Sequence, residues 1–521
     1  MRKTTGPEQV PLPHDYMPVS ARLADNEKIL RQDFNNTTDI VFRQFFLAEI
    51  KCLAVWIDGV IDSRISHDLF RAFMLEIDPD RINRVPPAER TEFISKHLLP
   101  FHAVTSVTDL VELRRWVLMH KLILLIDGSA AALVLDAESS PNRGISEPTL
   151  ESVVSGPRDA FVENIRTNTA LIRNRLGDYR LKSENFILGR RSNTLVTMMY
   201  VEDLARPEII EEVRQRMGRV DTDGLLDIYY LKDFLSDEKY SLFPLMKETE
   251  RPDKVCGDLL EGRFALIADG SPQVLTAPSH FIEFFQAAED YYMNPILVFM
   301  LRSLRFIGFI MACILPALYV AVSTFHPEMI PIPLIFSVAG SRETVPFPAF
   351  IEAMLMLLVF ELLVEAGIRL PRVVGGAVNI VGALIVGQAA VEAGIVSPIL
   401  VIIVAATAIA SFAAATTYQI GPMTRPIRLV FLIAAGVLGL YGVGLVALAM
   451  LVNIASLRSF GVAYLAPLAP IVTSELGDDV LFRVPKWAMG PRPKLIAGAD
   501  RVREGSIPPG TPTESNSSDE Q

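Results

Sequence analysis

LVFLIAAGVLGLYGVGLVALAMLVN (429–453) carries no charged residue. A helix needs roughly 20 apolar residues to cross a bilayer, so this stretch is long enough to span. Working outward, FIGFIMACILPALYVAVSTF (306–325), VVGGAVNIVGALIVGQAAV (373–391) and PILVIIVAATAIASFAAAT (398–416) have the same character. FIEAMLMLLVFELLVEAGIRLP (350–371) matches them in length but holds Glu352, Glu361, Glu365 and Arg369. Ionisable groups within a membrane are costly and must face protein or water, which marks them as functional candidates. These stretches predict an all-α, polytopic membrane domain over residues 300–476, with four to six membrane segments.

The net charge of −11 is unevenly placed. Residues 301–521 carry 14 basic and 14 acidic side chains, so the whole acidic excess lies in residues 1–300. That part reads as a soluble, acidic region of one large or two small domains. Nucleic-acid binding is excluded as an expectation, because phosphates demand a basic footprint. Cys52, Cys256 and Cys313 are far apart and read as packing residues rather than disulfide or metal ligands. The N-terminus lacks the apolar core of a signal peptide, which suggests a cytosolic soluble region. Residues 1–29 read as a flexible lead, 477–500 as a cytosolic C-terminal segment and 501–521 as a disordered tail.

Within the soluble region the pattern alternates strands and helices. CLAVWIDGV (52–60) reads as a strand, SHDLFRAFMLEI (66–77) and VTDLVELRRWVLM (107–119) as helices. KLILLIDGSAAALVLDA (121–137) reads as a hairpin turning at Asp127-Gly128-Ser129. The plan then returns: LVTMMYVEDL (195–204) as a strand, RPEIIEEVRQRM (206–217) as a helix, and RFALIADGSPQVLTAP (263–278) as a hairpin at Asp269-Gly270-Ser271. The strands are offset by 144 positions (Trp56 to Tyr200) and the hairpins by 142 (Asp127 to Asp269). The fold expected is an α/β soluble region of two similar subdomains, 30–145 and 150–285, followed by the membrane domain.

Arg302 and Arg305 precede the first span and place the soluble region inside by the positive-inside rule. Five crossings leave Arg369, Arg372, Arg425 and Arg428 inside but the C-terminus outside. SFGVAYLAPLAPIVTSEL (459–476), broken by Pro467 and Pro470, is a candidate to return the chain, which would put both termini inside.

Glu361, Glu365 and Arg369 follow i, i+4, i+8 spacing and share a helix face. Either they form a ladder that neutralises itself, or at least one carboxylate lines a cation pathway; Glu361, further from the arginine, is the better candidate. Glu352 lies on the other face and is expected at the headgroups. Gln388 and Glu392 share a face of the next span, with Asn379 half a turn round; such residues bridge helices or line a pore. Glycines at 375, 376, 382, 387, 436, 439, 442 and 444 allow close helix approach. In the soluble region Phe161, Ile165, Ile172 and Leu176 form an apolar stripe. The polar residues beside it, Arg158, Asn164, Asn168 and Arg173, form either a solvated face or a subunit contact. Thr249 is placed to cap the helix after TERPD (249–253). There is no phosphate-binding loop, nucleophile elbow, zinc motif or paired Cys–His set, so neither an enzyme nor a metal or cofactor site is expected.

Several longer strings are specific: SVVSGPRDAFVENIRTNTALIRNRL (152–176), TERPDKVCGDLLEGRFALIADGSP (249–272), EDYYMNPILVFMLRSLRF (289–306), LPALYVAVSTFHPEMIPIPL (315–334), VPFPAFIEAMLMLLVFELLVEAGIRLP (345–371) and VGALIVGQAAVEAGIVSP (381–398). Over roughly residues 30–490 the chain resembles the A subunits of GerA-type spore germinant receptors. The resemblance implies a protein of the spore inner membrane, its N-terminal domain facing the core. The implied partners are a transporter-like B subunit, a lipoprotein C subunit, further copies of the same chain, membrane lipids and monovalent cations. The implied function is a nutrient-gated cation channel that initiates germination. The alternatives are an accessory channel like the SpoVAF paralogues, or a non-conducting scaffold for germination proteins.

Overall fold

Two hairpins of equal build open the two halves of the sheet region in the computed structural model. The described residues are 16–61, 70–71, 82, 84–97, 99, 104–137, 147–149, 151, 153–369, 387–417, 419–472, 477, 479–480, 482–490 and 492–503. Most of the helix expected at 66–77, most of the span expected at 373–391, residues 1–15 and nearly all of the tail lie outside them, while the rest of the lead read as flexible is ordered, with Val19 and Leu23 in the core of the first unit.

β1 (Ile40–Leu47) and β2 (Ile50–Ile57) pair antiparallel. They are joined by β3 (Val104–Val107), β4 (Leu122–Ile126) and β5 (Ala132–Leu135) in a five-stranded sheet of order β1-β2-β4-β5-β3. The second sheet repeats that order with β6 (Leu181–Leu188), β7 (Thr194–Val201), β8 (Lys247–Thr249), β9 (Phe264–Ala268) and β10 (Val274–Ala277). In chain order, α1 (Leu23–Asp33), α2 (Arg90–His97) and α3 (Leu110–Leu118) accompany the first sheet. α4 (Ile165–Arg175), α5 (Pro207–Gly218), α6 (Tyr229–Leu235) and α7 (Pro252–Leu260) accompany the second.

The duplication read from two offsets extends to register. Ala132 faces Val107 in the first sheet and Val274 faces Thr249 in the second, both pairs shifted by 142. Leu23–Asp33 and Ile165–Arg175 differ by the same 142 positions. The turn carboxylates do the same work in each copy: Asp127 Oδ1 accepts from Leu23 N at 3.0 Å, and Asp269 Oδ1 from Ile165 N at 3.2 Å. β1, β3, β6 and β8 were not foreseen. β1, β3, β6 and β8 are the edge strands, where one backbone edge meets solvent or loop and the side-chain pattern is weaker. The helix expected at 107–119 begins only at Leu110, because Asp109 caps it by accepting from Val111 N.

The membrane region comprises α8 (Pro295–Phe325), α9 (Ile332–Arg342), α10 (Ala349–Arg369), α11 (Pro398–Ala414) and α12 (Ile420–Ser456). Among the described residues, α8 and α12 are long and apolar enough to cross a membrane. α8 has 31 residues, about 46 Å of helix, longer than a hydrocarbon core of about 30 Å. α12 is not one straight rod. Gly439 takes φ 60° and ψ −140°, and a Cβ on Gly442 would lie 2.2 Å from Ala434 O. The two ends of α12 meet neighbouring residues of the sheet region: Gln419 Nε2 donates to Met246 O at 3.0 Å and Ser459 Oγ to Leu245 O at 2.6 Å. α12 is therefore a hairpin of two limbs, each about 26–28 Å long.

This changes the expected topology. The chain returns within the run read as a single span, not through 459–476. Phe460 and Val462 join the core of the second sheet, and Tyr464 packs against Phe281 and Phe284. α10 runs opposite to the first limb of α12, with Phe350 against Gly436 at the far end and Glu361 facing Arg425 near the sheet end. Thr416, after α11, donates to Phe284 O, so α11 also ends on the sheet side.

Candidate functional site

The acids of α10 are at three depths with three kinds of partner. Glu365 accepts from Arg369 Nε and Nη2 at 2.8 and 2.7 Å, the local ladder that the spacing predicts. Glu361 turns to the neighbouring limb, 3.2 Å from Arg425 Nε and 3.8 Å from Arg428 Nη1. Arg428 is buried and also donates from Nε to Ala312 O at 2.9 Å. Those arginines lie five and eight residues past Ile420, about 8 and 12 Å from the sheet end. Glu361 is thus near the sheet end of the helical region and matched by two cations.

Glu352 departs most from its expected place at the headgroups. It is 1% exposed, accepts from Ser397 N at the start of α11, and lies 3.9 Å from Arg342 Nε. The opposite face of α10 is covered by Val320, Val396, Leu400 and Leu432, so it is interior rather than interfacial. Gln388 and Glu392 are exposed on a helical turn at 387–392. That turn belongs to the far end, where Ala390 and Val391 pack with Val396 and Ala349. The four candidate ion-pathway residues therefore fall into two groups, Glu361 with Glu365 and Gln388 with Glu392, at opposite ends of the bundle. Asn379 lies outside the described residues.

The densest buried charge is where the second sheet meets the membrane helices. Arg263 bridges Asp258, Glu261 and Glu283, Lys247 reaches Asp258 and Glu283, and Thr276 Oγ1 donates to Asp258 Oδ2 at 2.6 Å. Burial raises the carboxyl pKa of Asp258 and Glu283, but Lys247 and Arg263 outweigh it and hold both below the usual range. Next to this cluster Asp290, fully buried, accepts from Arg302 Nε at 2.9 Å and from Arg305 Nη1 at 2.8 Å. Arg302 Nη1 also reaches Asp479 Oδ1 at 2.8 Å, and Arg483 Nη1 donates to Asp290 O at 2.6 Å. Burial outweighs Arg302 at Asp479 and raises that carboxyl above its ordinary value.

Arg302 and Arg305 thus do not mark a headgroup layer, the role used to orient the chain; buried ion pairs occupy them. They clamp the first turns of α8 to the connector that follows the second sheet on one side and to the C-terminal segment on the other. A cavity of about 70 Å³ between the two charge clusters is lined by Glu261, Arg263, His280, Glu283, Asp479 and Arg503, among others. A partial signal for this clamp lies along the chain, since Asp290, Arg302 and Arg305 all fall in the string at 289–306.

The candidate subunit-contact residues separate in the same way. Asn168 is fully buried and holds its own preceding loop, accepting from Val162 N at 2.8 Å and donating to Val162 O at 2.6 Å. Asn26, 142 positions earlier, does the same to Ser20. Arg173 is 1% exposed and forks onto Asp39 at 2.7 and 3.0 Å, joining the two subdomains. Asn164 caps α4 through Arg166 N and Thr167 N. Arg158 is exposed, 3.6 Å from Glu147. Only Arg158 and Asn164 of the four lie at the surface. Thr249 does not cap α7: it ends β8, accepts from Arg251 N and donates to Glu151. The three cysteines are free and buried, as expected of packing residues.

Residues 28–495 match the model of the GerA family, described as Bacillus/Clostridium GerA spore germination protein. Spore germination protein KA of Bacillus subtilis is 40% identical over 94% of this chain and 89% of its own length. GerLA of Bacillus cereus is 34% identical over 92% of this chain and 97% of its own. A membrane protein of B. subtilis, YfkQ, is 38% identical over 91% of each chain. Among solved structures, the N-terminal domain of the A subunit of the Bacillus megaterium spore germinant receptor GerK3 matches with a TM-score of 0.42 and 26% identity, covering 52% of this chain and 100% of that one. With its family model matched along nearly its whole length, and two α/β units followed by apolar helices, this chain belongs to the GerA family of spore germination proteins.

Proposed function

We propose that this chain is the A-type membrane subunit of a germinant receptor, which assembles with copies of itself into a cation channel opened when germinant is sensed. The reading is carried by the clamp at Asp290. Arg302 and Arg305 fasten the connector that follows the second sheet unit, at Asp290, onto the first membrane helix, and Arg305 Nη1 also donates to Phe285 O at 3.3 Å, so a shift of the sheet region reaches α8 without a slack linker. Coupling of this kind needs two arrangements that the trigger stabilises differently.

Sensing belongs to partner subunits of the receptor, a transporter-like B subunit and a lipoprotein C subunit. The chain lies in the spore inner membrane with its sheets on the core side. Glu361 and Glu365 at the sheet end, and Gln388 and Glu392 at the far end, contribute to the two mouths of the ion pathway. Arg158 and Asn164 offer exposed polar groups to a neighbouring subunit.

Reconstitution tests conduction. Receptor assembled from all its subunits in K⁺-loaded vesicles should release K⁺ on addition of germinant, and Glu361→Gln should slow that release. Vesicles that hold their K⁺ under every germinant tried, together with unimpaired germination of Glu361→Gln and Glu365→Gln spores, would rule the channel out.

A further inference from the structure

A further cavity lies away from both charge clusters, between the α12 hairpin and the segment Asp237–Phe243. It holds about 600 Å³, within the roughly 300–1,000 Å³ typical of small-molecule sites. Its lining is of two kinds. Ile427, Val430, Val446, Ala449 and Met450 form an apolar floor from both limbs of the hairpin, and the rim carries Glu238, Asn453, Ser456 and Arg458.

Three observations place this cleft at the lipid headgroup level. The second limb of α12 is apolar from Tyr441 to Val452, and its first strongly polar residue is Asn453. Three residues beyond the helix, Ser459 is bonded to Leu245 O of the sheet region, so the rim lies where bilayer gives way to water. Tyr240 is 93% exposed and Leu242 50% exposed, on a loop whose next residue, Phe243, is buried among Phe281, Met423 and Ile427. An aromatic presented beside a helix end, over an apolar floor, is the arrangement by which proteins meet the membrane interface.

The rim charges select the occupant. Asp237 is committed to Arg216 and to Gly461 N. Arg458, whose Nη1 makes one bond to Gly461 O at 3.3 Å, and Glu238, both exposed, supply one cation and one anion. That pair suits a headgroup bearing a phosphate and an ammonium, with an acyl chain along Val430, Val446 and Met450. We propose that the cleft binds one zwitterionic aminophospholipid of the sheet-side leaflet. This rests on the membrane placement of α12 but not on ion conduction, so a chain that passes no cations leaves it intact.

Native mass spectrometry of the full chain, released from micelles with phosphatidylethanolamine or phosphatidylglycerol added, tests it. The expected result is retention of one phosphatidylethanolamine, weakened about tenfold by Arg458→Ala, where a charge-assisted contact to phosphate is lost. Val446→Trp, which fills the floor from a helix already in place, should lower retention by a comparable factor with the melting temperature unchanged. Equal retention by wild type and both variants would overturn the proposal. So would preferential retention of phosphatidylglycerol. A Val446→Trp variant that keeps its lipid but loses self-association would mark the cleft as a protein interface instead.

Discussion

The two sheet units share strand order, register and even the aspartate that closes their hairpins, yet they treat charge in opposite ways. Shifted by 142 positions, Arg263 of the second unit corresponds to Lys121 of the first, Asp258 to Trp116 and Lys247 to Thr105. Lys121 is half-buried and pairs at 2.8 Å with the exposed Asp136, and Trp116 packs beside the core with its Nε1 donating to Glu112. In the second unit the same positions form a buried network facing the membrane helices. A duplicated scaffold tolerates either solution, because neither alters the strand pairing. At these positions it is the copy docked onto the membrane domain that places its charges inside.

That contrast can be broken by experiment. Arg263→Ala leaves Asp258 and Glu283 buried with part of their counter-charge removed, and should cost about 3–5 kcal/mol. Lys121→Ala, its counterpart, should cost under about 1 kcal/mol. Chemical denaturation of the full chain in detergent, followed by tryptophan fluorescence, compares them; equal losses would remove the distinction between the units. Asp290→Ala strands Arg302 and Arg305 in the same way and should open limited tryptic cleavage within 286–305 before global unfolding, while Asp136→Ala should leave the digestion pattern unchanged.

A smaller effect tests what the units share. Asp127→Ala and Asp269→Ala each remove one acceptor from the first turn of a helix, and each should lower stability by about 1 kcal/mol. A difference greater than about twofold between them would argue that the copies have diverged in the hairpin clasp too. The smallest effect is in acid. Asp258 and Glu283 titrate below their unfolded values, so their contribution is complete above about pH 4 to 4.5 and fades as pH falls further. Melting temperature should therefore hold from neutral pH to about pH 5 and decline below it, less steeply in Arg263→Ala; parallel declines would exclude these two carboxyls as the cause.

Much of this architecture was legible along the chain. The Asp-Gly-Ser turns between apolar runs gave both central hairpins, and their equal offset gave the duplication. The edge strands β1, β3, β6 and β8 were not legible, because a strand with one paired edge needs only half the apolar pattern of a central one. Among the charges, the Glu365–Arg369 pair was readable since helical spacing alone brings its members together. Glu361 with Arg425, and Asp290 with Arg302 and Asp479, were not, because their partners come from other elements. The Gly439 reversal was hidden inside an unbroken apolar run: a sharp turn within a membrane bundle changes φ and ψ at one glycine and leaves hydropathy untouched.

The sequence alone determined what is local or periodic: which segments are apolar enough to leave water, where hairpins turn, and that one α/β plan occurs twice. Tertiary structure alone decided which carboxylates remain open and which are matched by arginines from other helices. It also decided that α12 folds back and that the second sheet unit is the one clamped to α8. The physical reason is that helical and strand periods act over a few neighbouring residues. Ion pairing and helix reversal depend on which distant segments come to share the same few ångströms of space.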